Sequence, residues 1–168
     1  RSSDLMYGWD IMPRLVSAGL WRDVELRVLN PTRLKDVNWM TISIDTTAHT
    51  ARIFTDVQLI MPFDKFDKVK VQFTLRRKGK VVYQNSQPVS TPAFRHIFEL
   101  DNVDFWWPRG YGEAALYDAS VQLIDSDGKE LDINNCKIGI RTVKLDMDDI
   151  NLPGKPGQFR FIVNTEPL

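Results

Sequence analysis

Two segments of the sequence carry residues whose types and spacing could do chemistry, and the first is the stretch Tyr7–Arg14. In it, Trp9 is followed directly by Asp10. An indole face can pack on the C–H face of a pyranose ring, and a neighbouring carboxylate can accept hydrogen bonds from sugar hydroxyls. The same residues suit a loop in which Trp9 only fills the edge of a domain. Composition by itself favours this structural interpretation.

The second segment is Val103–Gly112, in which aromatic rings are concentrated. The rings could form a stacking platform for a sugar, or they could cover one end of a folded domain. Pro108 fixes a turn, and Gly110 and Gly112 permit backbone angles that other residues avoid. We therefore interpret this loop as structural. Its aromatic residues are Phe105, Trp106, Trp107 and Tyr111.

Residue types limit the other chemistries. Cys136 is the single cysteine, which excludes an internal disulfide and a cysteine-based metal cluster. His49 and His96 are the only histidines, too few for a three-histidine zinc site. A retaining glycosidase needs two carboxylates about 5 Å apart, and no spacing here predicts such a pair. We expect no cofactor, no metal and no catalytic residue within these 168 residues.

A histidine, the cysteine and a run of basic residues are interpreted as structural or surface residues and not as parts of a functional site. His96 lies on the apolar side of a predicted strand and is expected in the core or at its rim. Cys136 is expected to behave as a small apolar residue. The basic run Arg76–Lys80 is interpreted as a solvated hairpin tip.

The balance of 22 basic and 22 acidic residues gives no field that would attract nucleic acid or an anionic membrane. No apolar run approaches the roughly 20 residues that span a bilayer. The start of the chain shows no signal-peptide pattern. The length predicts one ordinary domain with flanking pieces.

The elements that position these residues are β-strands, because short alternating runs recur and helical periodicity is nearly absent. Lys68–Arg76 is the clearest half-buried strand, with Val69, Val71, Phe73 and Leu75 on one face. About seven strands between residues 33 and 146 predict an all-β fold, an immunoglobulin-like antiparallel β-sandwich. The predicted strands are Trp21–Leu29, Val37–Ile44, Ala51–Met61, Lys68–Arg76, Val81–Tyr83, Ala93–Leu100, Leu116–Asp125, Lys129–Cys136 and Ile138–Leu145.

Turn and linker residues connect the predicted strands. Hairpins are expected at Arg77–Lys80 and Ser126–Gly128. Asp148–Gly157 is interpreted as a linker, and Phe159–Val163 as a further strand. Because the sequence stops at Leu168 just after that strand, we expect a fragment of a longer protein.

Four motifs stand out along the sequence: Gly8–Arg22, Trp106–Tyr117, Gly139–Val143 and Phe159–Pro167. Together they resemble glycoside hydrolase family 2, and in particular its β-mannosidases. Gly8–Arg22 resembles the end of their sugar-binding domain, with Ile11-Met12 in place of a Trp-Gly pair. Trp106–Tyr117 is similar to a Trp-Pro-x-Gly-x-Gly…Leu-Tyr loop in their second domain, and Gly139–Val143 to the Gly-(Phe/Ile)-Arg strand that closes it. Phe159–Pro167 looks like the Phe-x-x-Asn-Gly-x-Pro strand that leads into the catalytic barrel, with Thr165 in place of glycine.

The resemblance implies a domain plan. Residues 1–30 would end a sugar-binding jelly-roll domain, 31–148 would form the immunoglobulin-like sandwich, and 149–168 would lead to a (β/α)8 barrel that carries the two catalytic glutamates. The segment itself would be inactive. The resemblance assigns substrate binding in the parent enzyme to Trp9 and Asp10, which reverses the interpretation from composition. It assigns structural roles to Trp106, Trp107, Pro108, Gly110, Gly112 and Arg141.

The implied partners are a carbohydrate substrate and the two neighbouring domains of the same chain, with no nucleic acid and no membrane. An extracytoplasmic location is favoured for a bacterial family member. Two alternatives stay open: an enzyme of the same family acting on β-galactosides or β-glucuronides, and a free-standing immunoglobulin-like module used for binding or structure. The Trp9-Asp10 stretch favours the mannoside.

Overall fold

The computed structural model describes residues 19–20, 22–147, 154, 157 and 159–167. Ten strands follow one another in these residues, with one 3-10 helix, Phe63–Lys68, after the second. The strands are β1 Arg33–Asp45, β2 Thr50–Ile60, β3 Val69–Arg77, β4 Lys80–Pro88, β5 Ala93–Leu100, β6 Tyr117–Asp125, β7 Glu130–Ile138, β8 Val143–Met147, β9 Phe159–Val163 and β10 Glu166–Pro167.

The strands form three antiparallel sheets. The first has the order β1-β2-β5 and the second has the order β4-β3-β6-β7. This is an immunoglobulin-like arrangement, in which β1, β2 and β5 form one sheet and the fourth strand pairs with β3 in the other. A small third sheet has the order β10-β9-β8. The predicted all-β sandwich is confirmed.

Alternation along the strands builds the core between the two large sheets. Val69, Val71, Phe73 and Leu75 of β3 are all buried, as the sequence predicts. Apolar side chains of β2, β5 and β6 meet them and form two adjoining clusters. Trp39 of β1 packs against both clusters, with its ring edge-on to Phe73 at a centroid distance of 6.3 Å. Trp39 of β1 thus contributes edge-to-face aromatic packing to the core between the two sheets.

His96 lies where the edge strands of the two sheets meet. Its ring stacks on Phe73 at a centroid distance of 4.3 Å, and its Nε2 shares a 2.7 Å hydrogen bond with the Tyr83 hydroxyl. Burial lowers the pKa of His96 below its ordinary value of 6.5, because the charged form loses hydration. Burial also raises the pKa of Tyr83. The expectation of a core or rim histidine is confirmed.

Three expectations were wrong. The described residues of Trp21–Leu29 form no strand, and Val24, Leu26 and Val28 are 75–99% exposed. Strand conformation requires a hydrogen-bonded neighbour, and the described residues supply none here. Ile138–Leu145 is not one strand: β7 ends at Ile138, residues 139–142 form no strand, and β8 begins at Val143. Cys136 is exposed.

Within the described part of the chain, no helix is long and apolar enough to cross a membrane. The same residues contain no group of three or more histidine, cysteine, aspartate or glutamate side chains placed to hold a metal ion.

Candidate functional site

Trp9 and Asp10, the expected substrate-binding pair, lie outside the described residues, as does Trp21. Their role stays a prediction. The other candidate residues are all described, and they belong to the loop that joins β5 to β6 and to the segment that follows β7.

The loop is held by backbone hydrogen bonds around a tight turn. The Tyr111 amide donates to the Pro108 carbonyl oxygen at 3.1 Å, and Gly110 has a φ of 93°. A type II turn requires such an angle at its third residue, where glycine is favoured. The Trp107 amide donates to the Glu113 carbonyl oxygen at 3.0 Å. The loop therefore folds back on itself with a defined geometry.

Trp107 packs inward from this turn. Its half-buried ring contacts the cluster that contains Phe105 and Tyr117. Gly112 lies directly against it, and a Cβ atom at Gly112 would come within 2.9 Å of Trp107 Cδ1. Glycine is required here because the backbone approaches the indole too closely for any side chain.

Trp106 lies between a glycine and an arginine. A Cβ atom at Gly139 would come within 2.9 Å of Trp106 Cδ1, so this backbone also touches the indole. The guanidinium carbon of Arg141 lies 4.3 Å from the Trp106 ring centroid, within the range of a cation–π interaction. The indole is half-buried and Arg141 covers its face, so Trp106 offers little free ring for a sugar.

The backbone of Trp106 is held on both sides. Its amide donates to the Ile140 carbonyl oxygen at 3.0 Å, and its carbonyl oxygen accepts a 2.9 Å hydrogen bond from Asn164 Nδ2. Asn164 is completely buried. Its side-chain Oδ1 accepts a hydrogen bond from the backbone amide of Thr142 at 3.1 Å, and its backbone amide donates to the Thr142 carbonyl oxygen at 3.1 Å. These bonds join the aromatic loop to the β8–β9 sheet.

Arg77 corrects the interpretation of a solvated hairpin tip. The predicted turn is present, with Lys78 and Gly79 at positive φ. The Arg77 side chain, however, is only 14% exposed and binds Asp104 at 2.9 Å and Glu113 at 2.7 Å. The hydrogen bond to Glu113 raises the pKa of Arg77 above its ordinary value, and Asp104 adds to this effect.

A buried tyrosine supports the same corner of the loop. The Tyr117 hydroxyl accepts a 2.8 Å hydrogen bond from the Asp104 amide, and the Arg77 guanidinium lies 5.7 Å from the Tyr117 ring centroid. Burial is the main cause that raises the pKa of Tyr117. The carboxylates of Asp104 and Glu113 thus neutralise an arginine, and the corner has the chemistry of a structural support.

Sequence reasoning missed three residues of this arrangement: Arg77, Gly139 and Asn164. Gly139 and Asn164 each stand in a motif that carries the family resemblance, Gly139-Ile140-Arg141 and Phe159–Pro167, so a signal was present. The positions of these two motifs along the sequence did not indicate that both contact Trp106 in the folded chain. Arg77 gave no signal, because its partners lie 27 and 36 residues further along the chain.

The sequence is similar to those of fungal β-mannosidases. The chain is 36% identical to β-mannosidase B of Aspergillus niger over 167 residues, which cover 98% of this chain and 19% of the relative. The Aspergillus oryzae β-mannosidase B is 33% identical over the same share of each chain. The chain thus spans about a fifth of the length of these relatives.

Solved structures of glycoside hydrolases also resemble this chain. The chain superimposes on the β-D-mannosidase of Dictyoglomus thermophilum with a TM-score of 0.82 and 30% identity, over 100% of this chain and 20% of that one. A β-glucuronidase of Bifidobacterium dentium shares the fold, with a TM-score of 0.64 and 21% identity over 82% of this chain and 21% of that one.

The family described as Glycosyl hydrolases family 2 matches residues 32–141, which include all seven sandwich strands and the aromatic loop. Since this match covers more than half of the sequence, the chain belongs to glycosyl hydrolase family 2.

Proposed function

We propose that this chain is a non-catalytic β-sandwich segment of a retaining exo-glycoside hydrolase that releases terminal β-mannose. One observation carries the proposal: almost the whole chain aligns with β-mannosidases, in sequence over 98% of its length and in structure over 100%. Alignment from end to end favours a segment with the same position in a longer enzyme.

The non-catalytic role is supported by how three of the described carboxylates are used. Asp104 and Glu113 both bind Arg77, and Asp146 binds Arg160 at 2.9 Å. A retaining mechanism requires two carboxyl groups free to act on one glycosidic bond, about 5 Å apart. We infer that the catalytic pair belongs to another part of the full-length protein, a (β/α)8 barrel that follows residues 149–168.

The sandwich itself has a positioning role in this proposal. The hydrogen bond that Asn164 donates to Trp106 and the one that it accepts from Thr142 fix the strand β9, which would lead into the barrel, against the aromatic loop. Residues 1–30 would complete the sugar-binding domain and bring Trp9 and Asp10 to the active site. There Trp9 would pack on the sugar and Asp10 would accept hydrogen bonds from its hydroxyls.

The alternatives within the family are a β-galactosidase and a β-glucuronidase. Two β-glucuronidase structures share the fold at 21% and 22% identity, which supports the architecture and not the sugar. A free-standing immunoglobulin-like module is the alternative from another class. The end-to-end alignment with longer enzymes favours the segment.

The test is an assay of the full-length protein with aryl β-mannoside, β-galactoside and β-glucuronide. We expect the highest kcat/KM for the β-mannoside. A preference for another sugar would contradict the proposed specificity. The 168-residue chain alone should give no turnover. Turnover by this chain that a point substitution within it abolishes would contradict the non-catalytic role.

A further inference from the structure

The outer face of the sheet β1-β2-β5 carries a row of apolar side chains across its middle, the apolar row. Met40 of β1 is opposite Phe54 of β2, and Phe54 is opposite Ile97 of β5. Directly opposite residues of antiparallel strands project to the same side of a sheet. The adjacent Ile53 and Phe98 are buried in the core, so the row points away from it. Met40 and Ile97 are accordingly 55% and 50% exposed.

Charged residues lie on both sides of the apolar row. On one side, Asp56 of β2 is opposite Arg95 of β5, and the two form an ion pair at 3.2 Å. On the other side, Arg52 of β2 is opposite Glu99 of β5. Each strand thus carries an acidic residue at one side of the row and a basic residue at the other, and the order is reversed between β2 and β5. An apolar centre with a polar rim is typical of a protein–protein interface.

This pattern of charges is complementary to itself. A second copy can pack the same face on this one about a twofold axis that runs along the apolar row. The axis places the row on its own copy and reverses the direction of the strands, so Asp56 meets the second copy's Arg52, and Arg95 meets its Glu99. An axis parallel to β2 would instead place Asp56 against the second copy's Asp56. Self-complementarity of this kind is what an isologous dimer interface requires.

The shape of the face suits the same arrangement. A groove of about 320 Å³ lies beside the apolar row, and its lining includes Arg52, Glu99 and Asp101. The Arg95 side chain is 70% exposed. Its pair with Asp56 is of the surface kind that adds little stability, so Arg95 can turn to another partner at low cost. In the twofold arrangement the groove receives the second copy's Arg95, which there meets two carboxylates.

We propose that this face is a homodimer interface, in which a second copy of the protein packs on the apolar row and each copy pairs its Asp56 with Arg52 of the other and its Arg95 with Glu99. A different domain or protein would need a matching charge pattern of its own, whereas a second copy carries it already. The proposal concerns assembly, and it does not depend on the sugar that the enzyme cleaves.

Charge exchange in the full-length protein tests the interface, with the dimer Kd measured by sedimentation equilibrium. Asp56→Arg places an arginine against Arg52 of the other copy, and Arg52→Asp places an aspartate against its Asp56. Because like charges then face each other at both symmetry-related contacts, each variant alone should raise the Kd at least about 10-fold. An equimolar mixture of the two variants restores opposite charges at both contacts and should dimerise with nearly the wild-type Kd.

Mixing separates a contact between copies from damage within one copy, because a folding defect is not repaired by a second defective chain. Lys70→Asp, on the outer face of the other large sheet, is the matched control and should leave the Kd unchanged. Circular dichroism checks that each variant is folded. If either variant of the first pair fails to fold, Arg95→Glu mixed with Glu99→Arg gives the same test at the second contact.

Three results would overturn the proposal. The first is a wild-type protein that stays monomeric at every concentration, which would mean that no second copy covers the face. The second is a dimer whose Kd the folded charge variants do not change. The third is a mixture of the two variants that dimerises no more tightly than either one alone, which would exclude the twofold pairing of Asp56 with Arg52.

Discussion

The side-chain amide of Asn164 donates a 2.9 Å hydrogen bond to the carbonyl oxygen of Trp106, 58 residues earlier in the chain. The bond connects the loop between the two large sheets to the turn after β9. The Trp106 indole is contacted by Gly139 and Arg141, so three separate segments converge at this one residue. Four predictions concern this junction and the core, and one concerns the proposed substrate contact.

Asn164→Ala should lower the free energy of unfolding by about 2–4 kcal/mol, because the Thr142 amide and the Trp106 carbonyl lose their partner at a buried position. Alanine also tolerates the φ of 50° less well than asparagine. Urea unfolding measures the change. Asn164→Gly is the matched control: it removes the same side-chain hydrogen bonds but tolerates the φ of 50°, so it should cost less than alanine. A loss below about 0.5 kcal/mol for Asn164→Ala would contradict the role of this side chain.

Thr165→Gly should raise the free energy of unfolding by about 1 kcal/mol. Thr165 has a φ of 75° directly after Asn164 at 50°, the conformation in which two-residue hairpin turns favour Asn-Gly. A β-branched residue is strained at such an angle. The urea midpoint reports the gain, and Thr165→Ala should recover only part of it. An unchanged midpoint for the glycine variant would show that the strain is absent.

Gly139→Ala should destabilise the chain by about 1–3 kcal/mol, because its Cβ would meet Trp106 Cδ1 at 2.9 Å. A double-mutant cycle with Trp106→Leu identifies the cause. The cost of the alanine should shrink when the indole is removed, since the two positions are in contact. Equal costs in both backgrounds would place the strain elsewhere.

Stability should fall as the pH is lowered through about 6.5 and below because of His96. Burial lowers its pKa in the folded state, so the unfolded chain binds the proton more readily in the window between the folded pKa and 6.5. The stabilisation of the neutral form is complete above that window and is lost as the pH decreases. Urea unfolding from pH 7.5 to pH 5 measures the slope. His96→Gln should flatten it, and an unchanged slope would assign it to other groups.

Asp10→Ala in the full-length enzyme should lower kcat/KM for a β-mannoside by roughly 10- to 150-fold, which corresponds to one charge-assisted hydrogen bond. Asp10→Asn is the control: it keeps the shape of the side chain and should retain part of the activity. Thermal unfolding of both variants checks that the fold is intact. Wild-type kcat/KM with an intact fold would mean that Asp10 does not bind the substrate.

The sequence alone was sufficient to predict the sandwich, because its strands are encoded locally. The alternation of Lys68–Arg76 becomes β3 with the predicted side buried, and the turns at Lys78-Gly79 and Gly128 lie between paired strands. Strand alternation and turn preference act over a few residues, so one sequence displays them directly. Local alternation was insufficient for Trp21–Leu29, since a strand also needs a neighbour to accept its hydrogen bonds.

The contacts at the aromatic loop were decided only by the tertiary structure. The sequence marked Trp106 and Arg141 as parts of motifs, but not that Arg141 covers Trp106 or that Gly139 touches it. Likewise, no local pattern pairs Arg77 with Asp104 and Glu113. Such contacts depend on which strands become neighbours across the two sheets. That order is fixed by the packing of the whole chain, because distant segments meet only when the shared core forms.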